Sequence, residues 1–150
     1  MSHIRSAASE VEIRSFVESD RNALVDLWQR CDLIRPWNDP DRDIDRKLAL
    51  GDGLLLVGHS GGTLVAAVMA GYDGHRGWLN YLAVDPDRRE VGLGRLLIRE
   101  AEHRLHELGC PKVNLQIRRT NTDAIGFYES IGYAPDDVTS MGKRLIDDDR

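Results

Sequence analysis

One run of residues in this chain has the types and spacing to hold an anion. Arg89-x-x-Gly92-x-Gly94 sits in Asp85–Arg95, DPDRREVGLGR, at the entrance of a strongly helical stretch. Glycine lets the backbone approach a phosphate closely. The first amides of a helix have no internal partner and point outward. The helix dipole adds about half a positive charge there. Arg88, Arg89 and Arg95 supply full charges that suit a pyrophosphate. A tight β-α turn with solvated arginines accounts for the same residues without a ligand. A dinucleotide fingerprint fits poorly, because the third glycine of GxGxxG would fall on Leu97. No GK[ST] follows, which excludes a P-loop.

Two further groupings stand out. In Asn121–Tyr133 (NTDAIGFYESIGY), Asn121 can cap a short helix that turns Ala124, Phe127, Tyr128 and Ile131 inward and closes at Gly132. In His103-x-x-His106-x-x-x-Cys110, histidines at i, i+3 can share a metal. His103, however, lies opposite the apolar face of its helix, and Cys110 follows Gly109. A solvated surface is the better reading, and no metal is expected. Neither Cys31 nor Cys110 has an activating neighbour that would make it a nucleophile.

The elements that must position these residues read as follows. Val11–Phe16 is a strand. Asp20 is an N-cap for a helix carrying Leu24, Leu27 and Trp28 on one face. Leu33–Asp45 has two prolines and four aspartates, which make its first half a loop; a short helix follows to about Leu50. Leu54–His59 and Thr63–Tyr72 are strands joined at Ser60-Gly61-Gly62. Trp78–Val84 is another strand. Leu93, Leu96, Leu97, Ala101, Leu105 and Leu108 mark one face of a long helix, which Gly109 and Pro111 terminate. Lys112–Arg118 is a strand, the Asn121 helix follows, and Val138–Ile146 reads as a last strand. The order β-α-α-β-β-β-α-β-α-β predicts an α+β fold with a mixed, largely antiparallel sheet flanked by helices.

Length and composition narrow the function. A chain of 150 residues is one domain able to bury a core without disulfides or metals. The domain is expected over residues 11–146, after a loose leader at 1–10 and before a solvated acidic tail at 147–150. A formal charge of −5 argues against a nucleic-acid partner held by bulk charge. Nothing resembles a secretory signal or a membrane span, so a cytoplasmic protein with free thiols and no membrane partner is expected.

Two motifs in order carry a family resemblance. The R-x-x-G-x-G turn follows a strand ending LAVDPD and precedes GRLLI. Asn121–Tyr133 resembles N-x-x-A-x-x-F-Y-x-x-x-G-F/Y. Together they resemble the coenzyme A site of the GNAT superfamily of N-acetyltransferases. PWNDP near residue 36 and YLAVDP bring the chain nearest to YpeA-like bacterial acetyltransferases. The resemblance implies that fold with splayed central strands, acetyl-CoA as donor substrate, and direct acetyl transfer to a primary amine in a ternary complex. It implies that the main chain across Arg89, Glu90, Val91, Gly92, Leu93, Gly94 and Arg95 holds the two phosphates. Main-chain groups of Leu82, Ala83 and Val84 would pair with the pantetheine arm, the amide near Leu82 polarising the thioester carbonyl. Tyr128 would be the general acid to the departing sulfur. Asn121 would contact the arm as well as cap, and Phe127 would touch the coenzyme while packing.

The acceptor side is less defined. Trp37, Asn80 and Gln116 are its candidate residues. Gln116 stands where relatives carry a glutamate base and cannot accept a proton at neutral pH. A water chain to bulk, to Asp73 or to His75 is then expected to take the proton. Asn80 should share a face with Trp78, and Tyr81 should point the other way. Asp39, Asp41, Asp43 and Asp45 can attract a cationic amine, but a solvated acidic loop with caps is favoured. Without a carboxylate base, an α-amine of pKa about 7.7–8.0 is an easier acceptor than a lysine at about 10.4. The acceptor is expected to be a small-molecule or peptide amine, and the protein a monomer or homodimer. The alternative is a coenzyme A-binding sensor or subunit without turnover.

Overall fold

A computed structural model describes residues 10–148, so most of the expected leader, together with 149 and 150, falls outside the described residues. Five strands form one sheet in the order β1-β2-β3-β4-β5. They are β1 (Glu12–Ser15), β2 (Leu55–Ser60), β3 (Thr63–Tyr72), β4 (Gly77–Val84) and β5 (Val113–Leu115). The first four make an antiparallel meander, and β5 joins β4 in parallel. Helices α1 (Arg21–Arg30), α2 (Pro40–Ala49), α3 (Leu93–Glu107) and α4 (Thr122–Ser130) complete the domain.

The period-2 alternation of β2 decides which side each residue serves. Leu54 and Leu56 pack with Leu93, Leu97, Ile98, Ala101 and Leu105 of α3 and Tyr128 of α4. Leu55 and Val57 pack with Leu24, Leu27 and Trp28 of α1 and Ile44 of α2. The sheet is therefore covered on both faces, which explains why β2 and β3 read as near-continuous apolar runs. Leu24, Leu27 and Trp28 are wholly buried, each stabilising the fold by roughly 1.5–3 kcal/mol.

Local signals set most boundaries. Asp39 caps α2, accepting from the Asp41 and Arg42 amides at 3.0 and 3.1 Å, with Pro40 in the first turn. Asp20 behaves differently from the expectation. Its carboxylate makes no cap bond to α1; it turns back to the Val17 amide (2.9 Å) and takes both guanidinium nitrogens of Arg14. The short 3₁₀ turn at Glu18–Asp20 feeds straight into α1 and removes the need for a side-chain cap.

The C-terminal part departs further. β5 is three residues long, not the seven expected from Lys112 to Arg118. The expected strand over Val138–Ile146 does not form, and Val138, Met141, Leu145 and Ile146 are exposed. Strand pairing needs a neighbouring edge of matching length, and so short a β5 does not offer one. The segment is tied down by side chains: Lys112 pairs with Asp136 at 3.0 Å, and Gln116 bonds Ser140. Nor is the whole tail solvated. Asp148 is buried, holding Arg46 through both nitrogens (2.6 and 3.0 Å) and accepting from the Asp39 amide (3.3 Å).

Candidate active site

The glycine turn is built as an open helix mouth. A 3₁₀ turn over Pro86–Val91 runs into Gly92, whose φ of +76° makes it the left-handed residue that starts α3. Only glycine enters that region without strain. No side chain caps the helix there, and a Cβ added at Gly92 would meet nothing within 4 Å. Gly94 has a different reason: a Cβ there would come within 3.1 Å of the Phe127 ring. Among the described residues, Arg88, Arg89 and Arg95 form no ion pair. Arg88 reaches Ser60 Oγ (3.3 Å), and Arg89 Nε rests on the Val84 carbonyl (3.2 Å), which Cys31 Sγ also approaches at 3.2 Å. The backbone of Glu90 and Val91 lies in the same turn.

β4 outruns its parallel neighbour on the way to this turn. Pairing between β4 and β5 stops at Leu79↔Leu115, while β4 continues to Val84. Among the described residues, the β5-facing edge over Leu82, Ala83 and Val84 thus has no strand beside it.

A bulge lies in the same stretch. Ala67 pairs with Ala83 and Met69 with Asn80, so Tyr81 and Leu82 together oppose Val68. Tyr81 has φ +55°, a left-handed conformation that costs a non-glycine residue roughly 1–2 kcal/mol. Its ring stacks on Trp28 at 4.0 Å and 13°, and its hydroxyl donates to Asp43 Oδ2 at 2.6 Å. These contacts hold the strained residue in place. Burial and the Asp43 carboxylate raise the phenol far above its ordinary range. The bulge also breaks alternation: Leu79 and Leu82 both pack on the α3 side, while Asn80 and Tyr81 both line a cleft beside α2. Tyr81 therefore does not point away from Asn80 as simple alternation predicts.

That cleft, about 390 Å³, is lined by Asn38, Asp43, Met69, Asn80 and Tyr81. Of the expected acceptor residues, Asn80 lines it. Trp37 stands beside Asn38, 43% exposed, with the Arg118 guanidinium 5.9 Å above its ring. Gln116 is exposed and engaged with Ser140. Three of the loop aspartates are occupied: Asp39 caps α2, and Asp41 and Asp45 bridge to Arg21. Asp73 caps its own turn, accepting from the His75 and Arg76 amides and from Trp78 Nε1. No motif in the sequence marks Asn38, Met69 or Tyr81 as site residues, and for Tyr81 the reason is that the bulge carries no glycine or proline to announce it.

On the α3 side, Asn121 caps α4 by accepting from the Ala124 amide (3.1 Å). Phe127 and Tyr128 meet edge to face at 5.1 Å, as do Tyr128 and Tyr133 at 5.6 Å. Tyr133 donates to Glu102 at 2.6 Å, whereas the Tyr128 hydroxyl makes no hydrogen bond among the described residues. Burial pushes the Tyr128 phenol up to about 12. His103 and His106 are exposed, and the described residues hold no cluster of three metal-capable side chains. A smaller hollow of about 190 Å³, where Lys47 pairs with Asp52 at 2.8 Å, lies at the α2–β2 turn.

The pattern of the acetyltransferase (GNAT) family matches residues 21–133. An acetyltransferase of Pectobacterium atrosepticum is 49% identical over 138 residues, covering 92% of this chain and 98% of the relative. The crystal structure of the ribosomal-protein-S18-alanine N-acetyltransferase from Escherichia coli superposes with a TM-score of 0.66 at 27% identity, covering 81% of this chain and 76% of that one. AAC(6')-Iy in complex with a bisubstrate CoA conjugate shares the fold, with a TM-score of 0.71 at 18% identity over 90% of this chain and 99% of that one. The chain belongs to the GNAT family of acetyltransferases.

Proposed function

We propose that this acetyltransferase moves an acetyl group from acetyl-CoA to a primary amine by direct transfer in a ternary complex. Three observations carry the reading: an open helix mouth at Gly92, a β4 edge that β5 leaves unpaired beyond Leu79, and a buried Tyr128 whose hydroxyl makes no hydrogen bond among the described residues.

The amides from Arg89 to Arg95 hold the diphosphate, with Arg88, Arg89 and Arg95 adding charge. Leu82, Ala83 and Val84 pair through their main chain with the pantetheine arm. The bulge at Tyr81–Leu82 re-aims the backbone there, and the Leu82 amide stabilises charge developing on the thioester oxygen. Asn121 and Phe127 bound the arm. Tyr128, kept protonated by burial, donates to the leaving sulfur.

The acceptor enters the Asn80–Tyr81 cleft, with Trp37 next to its lining residue Asn38 and Gln116 just past the end of β5. Among the described residues Asp43 is the cleft's only lining carboxylate, and it already accepts from Tyr81 and pairs with Arg46 at 3.3 Å. The amine's proton therefore leaves through water. That favours an α-amine or another amine of low basicity. The enzyme acts in the cytoplasm and needs no metal.

Thiol release from acetyl-CoA over an amine panel tests the reading; turnover of at least one amine is expected. Tight acetyl-CoA binding with no turnover on any amine would replace the reading with that of a coenzyme A-binding sensor.

A further inference from the structure

We propose, on the basis of the acyl-transfer reading, that the acceptor is a small amine that also bears an anionic group, carboxylate or phosphate. Asn38, Arg144 and Arg118 hold that group.

The cleft has two chemically distinct ends. At one end stand Asp43 and the Tyr81 hydroxyl. The hydroxyl's hydrogen is committed to Asp43 at 2.6 Å, so its lone pairs are what it offers a ligand. This end accepts hydrogen bonds from an amine. At the other end stands Asn38. Its Oδ1 is taken by Arg144 Nη2 at 2.8 Å, which leaves its NH₂ to donate. Among the described residues Arg144 makes one other hydrogen bond, to the Ile146 carbonyl (3.2 Å), and Arg118 lies over the neighbouring Trp37. Neither arginine has a carboxylate partner among the described residues. Asn38 thus presents a donor in the lining, backed by two arginines without a carboxylate partner among the described residues, the pattern that recognises a carboxylate or phosphate.

The acidic residues nearby do not cancel it. Asp41 and Asp45 lie outside the cleft lining and are turned to Arg21, which also holds Glu18, and Asp148 is held by Arg46 and Arg42. Asp43, the carboxylate in the lining, is itself paired with Arg46 at 3.3 Å, so a polycationic acceptor would meet Arg118 and Arg144 with little free negative charge in the cleft. The volume of about 390 Å³ suits a small molecule.

The test uses the full chain with acetyl-CoA and two matched pairs, L-alanine against L-alaninamide and O-phosphoethanolamine against ethanolamine. The expected result is preference for the anionic member of one pair in kcat/KM, the pair itself telling carboxylate from phosphate. In Arg144→Gln and in Arg118→Gln that preference should fall about tenfold, read in KM. Equal use of both members, or variants that leave the ratio unchanged, would overturn the proposal. If acetyl-CoA binds but no amine turns over, the acyl-transfer reading fails instead. Calorimetric titration of the CoA-loaded protein with the same pairs then still decides the anion site: tighter binding of an anionic member upholds it, equal binding refutes it.

Discussion

Replacing Tyr128 with phenylalanine removes one oxygen and leaves the packing in place. The ring is 9% exposed and held edge to face by Phe127 and Tyr133, contacts that phenylalanine keeps. Because the hydroxyl has no hydrogen-bond partner among the described residues, its loss orphans nothing, and stability should stay within about 0.5 kcal/mol. Activity should not. With the phenol near 12 and a thiol near 8.5, complete proton transfer to the leaving sulfur is uphill by roughly 3.5 units, about 5 kcal/mol. In the proposed reaction the phenol would therefore act mainly by hydrogen bonding to developing charge, a contribution of about 10²–10⁴ in kcat, or roughly 3–5.5 kcal/mol. A raised pKa keeps the acid form present until pH climbs through about 12, so Tyr128 contributes no basic limb to the wild-type kcat profile over the usual assay range. Thermal melts and steady-state thiol release on the same preparations read both quantities. Tyr133→Phe is the control: it leaves Glu102 without its 2.6 Å donor and should cost about 1 kcal/mol of stability. A loss of kcat below threefold for Tyr128→Phe, or a melt that falls as far as for Tyr133→Phe, would reduce Tyr128 to a packing residue.

Three further outcomes are expected. Gly92→Trp fills the open space at the helix mouth and should abolish acetyl-CoA binding by calorimetry; unchanged affinity would refute the phosphate site. Gly92→Ala adds no clash but forces alanine to φ +76°, and should lower stability by about 1–2 kcal/mol in denaturant melts. The Arg46 guanidinium holds the Asp148 carboxyl well below the usual range, so its contribution is full above about pH 4 and fades as pH falls further. Asp148→Asn should thus melt below wild type at pH 7, with the gap closing toward pH 2; a gap independent of pH would contradict that linkage.

Features written in local spacing were readable from the sequence. The Leu93-Leu97-Ala101-Leu105 repeat places α3, and every one of those residues is wholly buried. The paired glycines at 61 and 62 both take positive φ in the β2–β3 turn. What escaped depends on residues distant in the chain. The Tyr81 bulge is held by Trp28 and Asp43, neither of them local to β4. Asp148 looks like one of a run of solvated aspartates until Arg46, 102 positions earlier, is folded against it. Val138–Ile146 has the apolar content of a strand, but content does not supply a partner edge. The same limit applies to the acceptor cleft: its lining comes from α2, β3, β4 and the loop before α2, and no spacing rule joins them.

The most direct test is a crystal structure of the protein with coenzyme A bound. The account requires diphosphate oxygens within about 3.2 Å of main-chain nitrogens in the Arg89–Arg95 turn. It also requires the sulfur to lie in the splay between β4 and β5, within hydrogen-bonding reach of the Tyr128 hydroxyl. A diphosphate seated elsewhere, or a sulfur whose path never approaches Tyr128, would contradict it.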